Sequence, residues 1–421
     1  YKCTGDADTT DSMAYTPHVL VVGGGATGTG VARDLAMRGL DVTLAERGPL
    51  GSGATGRMHG LLHSGARYAV ADPESARACI AENEVLRSIA DHCITDTGGL
   101  FVEHADDPPG YFQRKRAACE DCSIPVEELT SAAAREREPA LSEDVTRALW
   151  VPDGAVDPYR LTVATATSAQ RHGADIRPNT AVANVSTDGD GVRSATLVPD
   201  GADGRSTTLE IDYVVNAAGA WAGAVAALAD LDVSMRPSKG ALAVADIDAG
   251  TVVNRCRPKD EGDILVPHGD RAVLGATDVS VDDPDDFGED GSEIDLLFEE
   301  LEPVLPGLAD ATPRETFWGV RPLYDPEPDD SADSTHPGGI TRGFTIIDHE
   351  ERDDVRGMAT VVGGKFTTHR LMAEAVADHV CATFGIDREC ETATEPLPGG
   401  GETPPLATFD TDPPVAEWRR E

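Results

Sequence analysis

The architecture of the chain follows from His18-Val19-Leu20-Val21-Val22-Gly23-Gly24-Gly25-Ala26-Thr27-Gly28. Its apolar run predicts a short buried strand, and a helix is expected from about Ala26 to Arg38. Gly23, Gly25 and Gly28 have the G-x-G-x-x-G spacing, which serves a tight turn, close approach of a pyrophosphate and close helix–strand packing. The helix N-terminus offers N–H groups and a partial positive charge to phosphates. The stretch therefore predicts dinucleotide binding.

Two further segments support this interpretation. A second strand over 40–45 ends at Glu46, where an acidic residue would accept hydrogen bonds from a ribose hydroxyl. A buried strand at 211–221 runs through small residues into a helix, which predicts a second close approach of the backbone to the cofactor. The alternative is a glycine turn in some other parallel α/β unit.

The net charge of the chain limits the solvent conditions and the classes of binding partner that we expect for it. The 421 residues include 35 basic and 75 acidic residues, for a net charge of −40, and only five are lysines. Such self-repulsion destabilises a compact state in dilute buffer, whereas at molar salt the screening length falls to about 3 Å. We therefore expect a salt-rich cytosol, as in a halophile. The same charge argues against nucleic acid and anionic membrane surfaces as direct partners.

The eight cysteines have no disulfide-scaffold spacing, which fits a reducing compartment. Cys119 and Cys122 form a single C-x-x-C, which we interpret as an ordinary pair of helix cysteines, and no metal site is predicted. No apolar run has the length of a membrane-spanning helix, and the opening residues do not predict a signal peptide. Residues 1–16 are expected to be flexible, with Met13 a candidate start.

The remaining pattern predicts a second sheet. Short strands alternate with proline and glycine turns over 234–345, which is typical of a mostly antiparallel sheet. Strands over 180–186 and 193–198 are joined by a hairpin signal. The acidic loops 282–290 and 325–333 are expected to be solvated. Helices are predicted over 73–92, 111–122, 129–137, 160–172 and 367–384.

Several motifs, taken in order, point to one family. The loop 53–68 reads GATGRMHGLLHSGARY, and it is followed by VNAAG at 215–219, GVRPL at 319–323, TRG at 341–343 and GGKFTTHR at 363–370. Together they resemble the FAD-dependent glycerol-3-phosphate dehydrogenases, the anaerobic A subunits in particular, over about residues 17–398. Those subunits continue into a cysteine-bearing C-terminal domain that these 421 residues do not contain.

The resemblance implies an α/β fold: a Rossmann-like FAD-binding domain and a second, mostly antiparallel β-sheet substrate domain of α+β character. We expect the FAD-binding domain to be discontinuous, at 17–97, 151–228 and 345–390. The substrate or cap domain would comprise 98–150 and 229–344. Residues 391–421, rich in Pro, Gly, Glu and Thr, are expected to be a linker-like tail.

FAD is preferred over NAD because of the return strand and the Asn-Ala-Ala-Gly turn. Val182 matches the position whose backbone meets the adenine, and the turn at Gly363 would bring a helix N-terminus to the flavin pyrimidine. The cofactor-binding residues implied are Gly23, Gly25, Ala26, Thr27, Gly28, Glu46, Thr55, Gly56, Val182, Ala218, Gly219, Gly363, Gly364, Lys365, Phe366 and Thr367.

The implied reaction is the oxidation of sn-glycerol 3-phosphate to dihydroxyacetone phosphate by hydride transfer to FAD. A phosphate dianion in so acidic a chain needs a local cluster of basic groups. Arg321 is expected to be buried at a strand end, with the substrate a better partner for it than a salt bridge. The candidate catalytic residues are His63, Arg67, Tyr68, Arg321, Arg342 and Lys365.

The proton acceptor stays open. His63 is suitable because histidine ordinarily titrates near 6.5, but a loop-bracing role is an alternative. The implied partners are iron–sulfur or membrane-anchoring electron-transfer subunits and a membrane quinone. The expected location is cytoplasmic, at the inner face of the membrane through those subunits. The rivals are a related flavin oxidase or dehydrogenase of a hydroxy acid or amino acid, and an FAD-binding scaffold subunit without turnover.

Overall fold

The computed structural model describes residues 15–201, 204–258, 261–325 and 343–400. These residues form both strands and helices. The strands are β1 (His18–Val22), β2 (Asp41–Ala45), β3 (Leu61–Leu62), β4 (Ile94–Thr95), β5 (Gly99–His104), β6 (Glu127–Thr130), β7 (Val145–Val151), β8 (Gly154–Val156), β9 (Asp175–Arg177), β10 (Thr180–Asp188), β11 (Gly191–Pro199), β12 (Thr207–Glu210), β13 (Tyr213–Asn216), β14 (Ser238–Ala245), β15 (Val252–Arg255), β16 (Ile264–His268), β17 (Arg271–Gly275), β18 (Val279–Ser280), β19 (Glu315–Arg321), β20 (Phe344–Asp348) and β21 (Met358–Gly363).

The helices of the described residues include one long helix, α2, that flanks the site and two, α1 and α9, that begin at it. They are α1 (Ala26–Met37), α2 (Pro73–Ile89), α3 (Tyr111–Asp121), α4 (Ser131–Arg137), α5 (Pro158–Arg171), α6 (Ala222–Ala226), α7 (Gly291–Leu301), α8 (His349–Asp353) and α9 (His369–Phe384). Within the described residues, no helix combines the length and the apolar character needed to cross a membrane.

The first sheet has six strands in the order β20-β21-β13-β1-β2-β9. β1 lies between β13 and β2 and runs parallel to both, and β20 is an antiparallel edge strand. Val19 and Val21 pack with the helices on one face, whereas Leu20 and Val22 pack in a separate core on the other. Both faces are covered, which is why β1 reads as an uninterrupted apolar run. The predicted Rossmann-like fold is confirmed.

The second sheet has nine strands, ordered β18-β14-β17-β16-β15-β5-β7-β6, with β19 also paired to β14. All of its pairs are antiparallel except β5 with β15, so the predicted mostly antiparallel character is confirmed. Its strands come from 99–151 and 238–321. The predicted hairpin is also present, as β10 and β11. The domain boundaries themselves stay a prediction.

Three sequence-based expectations need correction. Helix α7 lies within the segment read as strands and turns; Ile294, Leu297 and Leu301 are buried along one face of it. The helix expected from 129 begins at Ser131, because the residues before it pair with β7 as β6. Residues 391–400 do not behave as a solvated linker: Leu397 is buried, and its backbone N–H donates to the carbonyl of Ile89.

Candidate functional site

The glycine turn after β1 is closed so tightly that side chains are excluded. Gly23 has φ +115°, and a Cβ there would lie 2.5 Å from the carbonyl oxygen of Ala217. A Cβ at Gly28 would lie 1.9 Å from the carbonyl oxygen of Gly23. Glycine at both positions therefore lets α1 begin directly against the turn and against the chain that follows β13.

A cavity of about 490 Å³ opens in front of this turn. It is bounded by the N-terminus of α1, by the end of β2, by β10 and by the chain after β13. Gly28 and Gly56 are not among its described lining residues; Gly28 packs against the turn, and Gly56 donates its N–H to the carbonyl of Gly51. The predicted residues that line it are Gly23, Gly25, Ala26, Thr27, Glu46, Thr55, Val182, Ala218 and Gly219.

The Glu46 carboxylate is held by the backbone. One oxygen accepts the N–H of Gly24 at 2.7 Å, and the other accepts the N–H of Gly48 at 2.8 Å. Burial raises the pKa of Glu46, and the two backbone hydrogen bonds oppose this effect. Each carboxylate oxygen has two lone pairs, so both retain capacity to accept a further hydrogen bond. The carboxylate is thus fixed at the cavity wall and still able to bind a hydroxyl.

A second cavity of about 290 Å³ continues from the first. The two share Ala26, Thr27, Ala54, Thr55 and Pro322, so together they form one extended cleft between the two sheets. The predicted residues that line this second part are His63, Tyr68, Arg321, Gly363, Gly364, Lys365 and Phe366. The structure thus brings His63 and Tyr68 together with Arg321 and Lys365, which follow them by more than 250 residues in the sequence, at one end of the cleft.

His63, Tyr68 and Lys365 form one contact chain in the smaller cavity. The Tyr68 hydroxyl lies 3.4 Å from Nε2 of His63. The Lys365 ammonium lies 4.4 Å from the centre of the Tyr68 ring and donates to the Ser75 hydroxyl at 2.8 Å. A cation over an aromatic face is attracted by the electron density of the ring. The lysine is therefore held at the cavity wall beside Tyr68 and Ser75.

Arg321 differs from the expectation of a buried charge. Its side chain is 29% exposed, so it is only half-buried. The guanidinium donates to the carbonyl of Thr277 at 2.7 Å and lies 3.4 Å from the Asp278 carboxylate. Arg321 is the last residue of β19, where it lies opposite Ser238 of β14 and lines the smaller cavity. A protein carboxylate is therefore already beside this arginine.

Arg67 is oriented differently from the other predicted cations. Its guanidinium donates to the buried carboxylate of Asp263 at 2.7 Å and to the Asn254 side chain at 3.3 Å. It is not among the described residues that line either part of the cleft, so the expectation that it lines the substrate pocket is not met. Tertiary packing supplies it with a buried partner that the sequence did not reveal. Arg342 lies outside the described residues.

The turn before α9 is more constrained than expected. The N–H groups of Gly363 and Gly364 donate to the carbonyls of Pro322 and Gly343, at 3.0 and 2.9 Å. They are thus engaged within the chain rather than directed at a ligand. Thr367 is fully buried, and its hydroxyl accepts the N–H of His63 at 3.0 Å. This turn therefore joins the two predicted site segments directly.

The C-x-x-C pair lies away from the cleft. Cys119 and Cys122 are both buried, within the apolar cluster beneath β5 and β7. Burial raises the pKa of the Cys119 thiol to about 12. A thiol in that environment stays protonated at neutral pH and is a poor nucleophile or metal ligand.

The family of FAD-dependent oxidoreductases designated DAO matches residues 18–379 of the chain. This chain belongs to that family. Its predicted resemblance is confirmed by 51% identity over 409 residues to the anaerobic glycerol-3-phosphate dehydrogenase subunit A1 of Haloferax volcanii, covering 95% of this chain and 69% of that protein. FAD is accordingly the cofactor of this oxidoreductase.

Two solved structures agree with the fold of this FAD-dependent oxidoreductase. The glycerol-3-phosphate dehydrogenase from Bacillus halodurans, complexed with FAD, has a TM-score of 0.70 and 23% identity, covering 92% of this chain and 69% of that one. The glycine oxidase from Geobacillus kaustophilus has a TM-score of 0.68 and 23% identity, covering 92% and 100%. At these identities the likeness concerns the fold alone.

The cleft of this oxidoreductase fits FAD. The glycine turn packs tightly against the chain after β13, α1 begins at the cavity in front of that turn, and a fixed carboxylate lies at Glu46. A dinucleotide needs these groups in this order along an elongated site. The contiguous smaller cavity then provides room for the reactive end of the cofactor and a substrate.

Sequence reasoning missed several residues of this cleft. Asp278 and His369 line the smaller cavity, whereas Arg47, Trp221 and Asp285 line the larger one. Burial lowers the pKa of His369 to about 4, so its imidazole is neutral at pH 7. His369 lies within the quoted GGKFTTHR motif, and Arg47 directly follows Glu46, so each could have been suspected from its position in the sequence. Asp285 lies in the loop interpreted as solvated surface, with no signal that pointed to the cleft.

Proposed function

We propose that this chain oxidises sn-glycerol 3-phosphate to dihydroxyacetone phosphate. The observation that carries the proposal is the smaller cavity, where Arg321 and Lys365 lie with His63 and Tyr68 beside the FAD-binding cleft. The name of the Haloferax volcanii relative, glycerol-3-phosphate dehydrogenase, supports the same substrate. When bound, FAD supplies the hydride acceptor for this reaction.

The substrate phosphate is assigned to the cations of the smaller cavity. Of the described residues that line it, Arg321 and Lys365 carry positive charge in a protein whose net charge is −40. An arginine can hold two phosphate oxygens with its fork of donors, and a lysine acts as a point charge. Arg342 is proposed as a further phosphate ligand on the family resemblance. Together they would fix the substrate so that its secondary alcohol faces the interior of the cleft.

His63 is assigned as the general base that accepts the proton of the substrate hydroxyl. Its imidazole lines the same cavity and is 8% exposed, so a bound substrate would shield it from bulk water. Its Nε2 lies near the Tyr68 hydroxyl, which can orient the ring. Neutral imidazole is the usual general base near pH 7. Tyr68 and Lys365 would hold the substrate oxygen and phosphate in place while the proton is taken up.

The FAD-binding residues are proposed on the same basis. Gly23, Gly25 and the N-terminal residues Ala26 and Thr27 of α1 would hold the diphosphate, and Glu46 the adenosine ribose. The remaining residues assigned to the cofactor lie further along the cleft or behind its wall. They are Gly28, Thr55, Gly56, Val182, Ala218, Gly219, Gly363, Gly364, Lys365 and Phe366. Thr367 is fully buried with its hydroxyl bonded to the His63 N–H, and it is not assigned to the cofactor.

Electron-transfer subunits and a membrane quinone are proposed as the eventual acceptors. The relative's name includes "anaerobic" and "subunit A1", which supports a multisubunit assembly. We propose that the chain is cytoplasmic and reaches the inner face of the membrane through such partners.

An oxidase or dehydrogenase of a hydroxy acid or an amino acid is the second candidate, because glycine oxidase shares this fold. The test is an anaerobic visible spectrum of the FAD-loaded protein in molar KCl, before and after each of several substrates. We expect bleaching by sn-glycerol 3-phosphate and none by glycerol, lactate, glycine or D-alanine. Bleaching by an amino acid or hydroxy acid alone would overturn the proposal. A flavin that none of them reduces would favour a scaffold subunit.

A further inference from the structure

The backbone around His63 is held at three consecutive groups by buried side chains. The His63 N–H donates to the Thr367 hydroxyl at 3.0 Å, and its carbonyl accepts the side-chain amide of Asn83 at 3.2 Å. The next N–H, that of Ser64, donates to the Asp153 carboxylate at 2.6 Å. Both sides of the His63–Ser64 peptide and the N–H of the preceding peptide are therefore fixed by side chains rather than by a strand.

These three side chains come from separate parts of the fold. Asn83 lies in the middle of α2, Asp153 lies between β7 and β8, and Thr367 lies in the turn before α9. Their relative exposures are 1%, 2% and 0%. Hydrogen bonds shielded to that degree do not exchange freely with water and define position strongly.

Asn83 is itself fixed by a second layer. Arg87, one turn further along α2, donates from Nε to the Asn83 side-chain oxygen at 2.7 Å and from Nη2 to the carbonyl of Asp153 at 3.0 Å. The Asn83 amide also donates to the carbonyl of Pro152 at 3.2 Å. The orientation of the Asn83 amide is thus determined, with its N–H₂ group towards His63.

Regular structure contributes little to this segment. The only strand at it, β3, has two residues, Leu61 and Leu62, which pair with β8. His63 comes directly after β3, where the ladder stops. Its imidazole nevertheless lines the smaller cavity, 5.2 Å between ring centres from Tyr68. Hydrogen bonds from the side chains of Asn83, Asp153 and Thr367 therefore hold the backbone at His63 in place of the strand pairing that stops at Leu62.

We propose that Asn83 and Thr367 are positioning residues: they hold the His63 peptide so that its imidazole meets the substrate hydroxyl. This inference rests on the proposed function, since it requires His63 to act on the substrate. Neither side chain is argued to touch the substrate. Because both side chains act through His63, their substitutions should be energetically coupled to a substitution of His63, and this coupling can be measured.

The test is a double-mutant cycle in single-turnover anaerobic reduction of the FAD-loaded protein. Thr367→Val and Asn83→Leu, each made alone, are expected to slow flavin reduction at saturating substrate on the order of ten- to a hundred-fold, with little change in the substrate concentration for half-saturation. His63→Gln is expected to slow it at least as much. Combined with His63→Gln, neither substitution should slow it further, because the residue they position is already lost.

Controls separate positioning from loss of structure. Thr367→Ser keeps the hydroxyl and is expected to restore the rate. Thr162→Val removes a comparably buried hydroxyl, on α5, that donates to the carbonyl of Pro158 in the same helix, and should leave the rate unchanged. The amount of FAD bound per chain should stay constant in Thr367→Val. Loss of FAD would assign Thr367 to the cofactor instead and overturn its positioning role. Asn83→Leu would then be the variant that tests whether Asn83 positions His63.

Two results would overturn the inference. One is a multiplicative slowing of the double variants, which would mean that Asn83 and Thr367 act independently of His63. The other is a His63→Gln variant with unchanged reduction, which would remove the residue to be positioned. Both differ from failure of the proposed function, in which the wild-type flavin itself is not reduced by sn-glycerol 3-phosphate.

Discussion

Lys365 is one of five lysines in the chain, and its ammonium lies in the smaller cavity beside Tyr68 and Ser75. If it binds the substrate phosphate, Lys365→Met should remove one charge-assisted contact, worth about 1.5–3 kcal/mol. We therefore expect the KM for sn-glycerol 3-phosphate to rise about 10- to 100-fold. Steady-state kinetics with a dye acceptor would measure this.

The matched control for Lys365→Met is Arg193→Gln, which removes an exposed cation from the β10–β11 hairpin, where it pairs with Asp188. That change also removes one positive charge, but it is remote from the cleft, and KM should not change. A KM that is unchanged in Lys365→Met, or raised equally in both variants, would contradict the assignment of Lys365 to the phosphate.

The neutral, buried His369 links stability to pH. Burial lowers its pKa from 6.5 to about 4 in the folded protein. Between these values the unfolded chain binds a proton that the folded chain does not, so acidification favours unfolding; the stability is fully present above pH 6.5 and is lost towards pH 4. His369 should contribute a slope of about 1.4 kcal/mol per pH unit within this window.

Comparison of wild type with His369→Gln isolates this effect. Chemical unfolding in molar KCl at several pH values from 4.5 to 7 would give the free energy of unfolding of each. We expect the wild type to lose stability more steeply than the variant as the pH falls. Parallel curves would show that His369 titrates normally in the folded protein.

At the level of single residues, the sequence predicted the role of a residue better when that role depends on local backbone geometry than when it depends on a tertiary contact. Gly23 could be predicted because a tight turn restricts its own backbone. Arg67 could not, because its carboxylate partner Asp263, directly before β16, lies 196 residues away in the sequence. Asp278 was missed for the same reason: nothing adjacent in sequence marks it as the neighbour of Arg321.

At the level of elements, the β1–α1 unit depends on the absence of a side chain at Gly28. A Cβ there would lie 1.9 Å from a backbone oxygen that cannot move without displacing the turn. We expect Gly28→Ala to purify with little FAD and to regain little on reconstitution, as measured by visible absorbance per chain. Gly189→Ala, in the β10–β11 turn with open space around its Cβ, should retain the wild-type FAD content. Full FAD in Gly28→Ala would refute the role given to the turn.

The loop between β18 and α7 closes the larger cavity from the side of the second sheet. Asp285 forms two hydrogen bonds with Arg47, at 2.9 and 3.2 Å, and that guanidinium lies 4.5 Å from the Trp221 ring centre. All three residues line the cavity. Asp285 is thus a link between the two sheets across the cofactor site, rather than part of a merely solvated loop.

Breaking this link should speed the release of FAD. Exposed ion pairs are worth about 0.2–1 kcal/mol, so Asp285→Asn should raise the FAD dissociation rate by up to about five-fold. The rise of flavin fluorescence after dilution would measure it. Asp246→Asn breaks a comparably exposed pair with Arg314, remote from the cavity, and should not change the rate. Equal rates in wild type and Asp285→Asn would contradict a closing role for the loop.

Helices and strands whose apolar residues repeat with a regular period could be predicted from the sequence. Elements whose boundaries depend on pairing or packing with a neighbouring element were harder to predict. Helix α7 has a clear apolar face, but the proline and glycine turns around it led to a prediction of short strands for this segment. The start of α4 was misplaced because Leu129 is buried in β6, a strand whose pairing with β7 has no local signature. The first residues of the tail, 391–400, have the composition of a linker, but Arg33 on α1 donates to the carbonyls of Thr392 and Glu395 and fixes them.

For the whole molecule, the two sheets enclose one cleft that combines a dinucleotide turn with a small cationic cavity. The surrounding chain carries a net charge of −40, so the positive potential at Arg321 and Lys365 is local. At molar salt the range of the overall repulsion shrinks to about 3 Å, and an anionic substrate can approach. The fold class and the cofactor followed from motifs that occur in a fixed order; the assembly of the cleft from distant segments required the structure.

The most direct measurement is a single anaerobic turnover in molar KCl with a known amount of FAD-loaded protein and excess sn-glycerol 3-phosphate. Flavin absorbance and dihydroxyacetone phosphate would be quantified in the same sample. We predict complete bleaching and one dihydroxyacetone phosphate formed per FAD reduced. A flavin that stays oxidised, or one that bleaches without formation of that product, would contradict the assigned reaction.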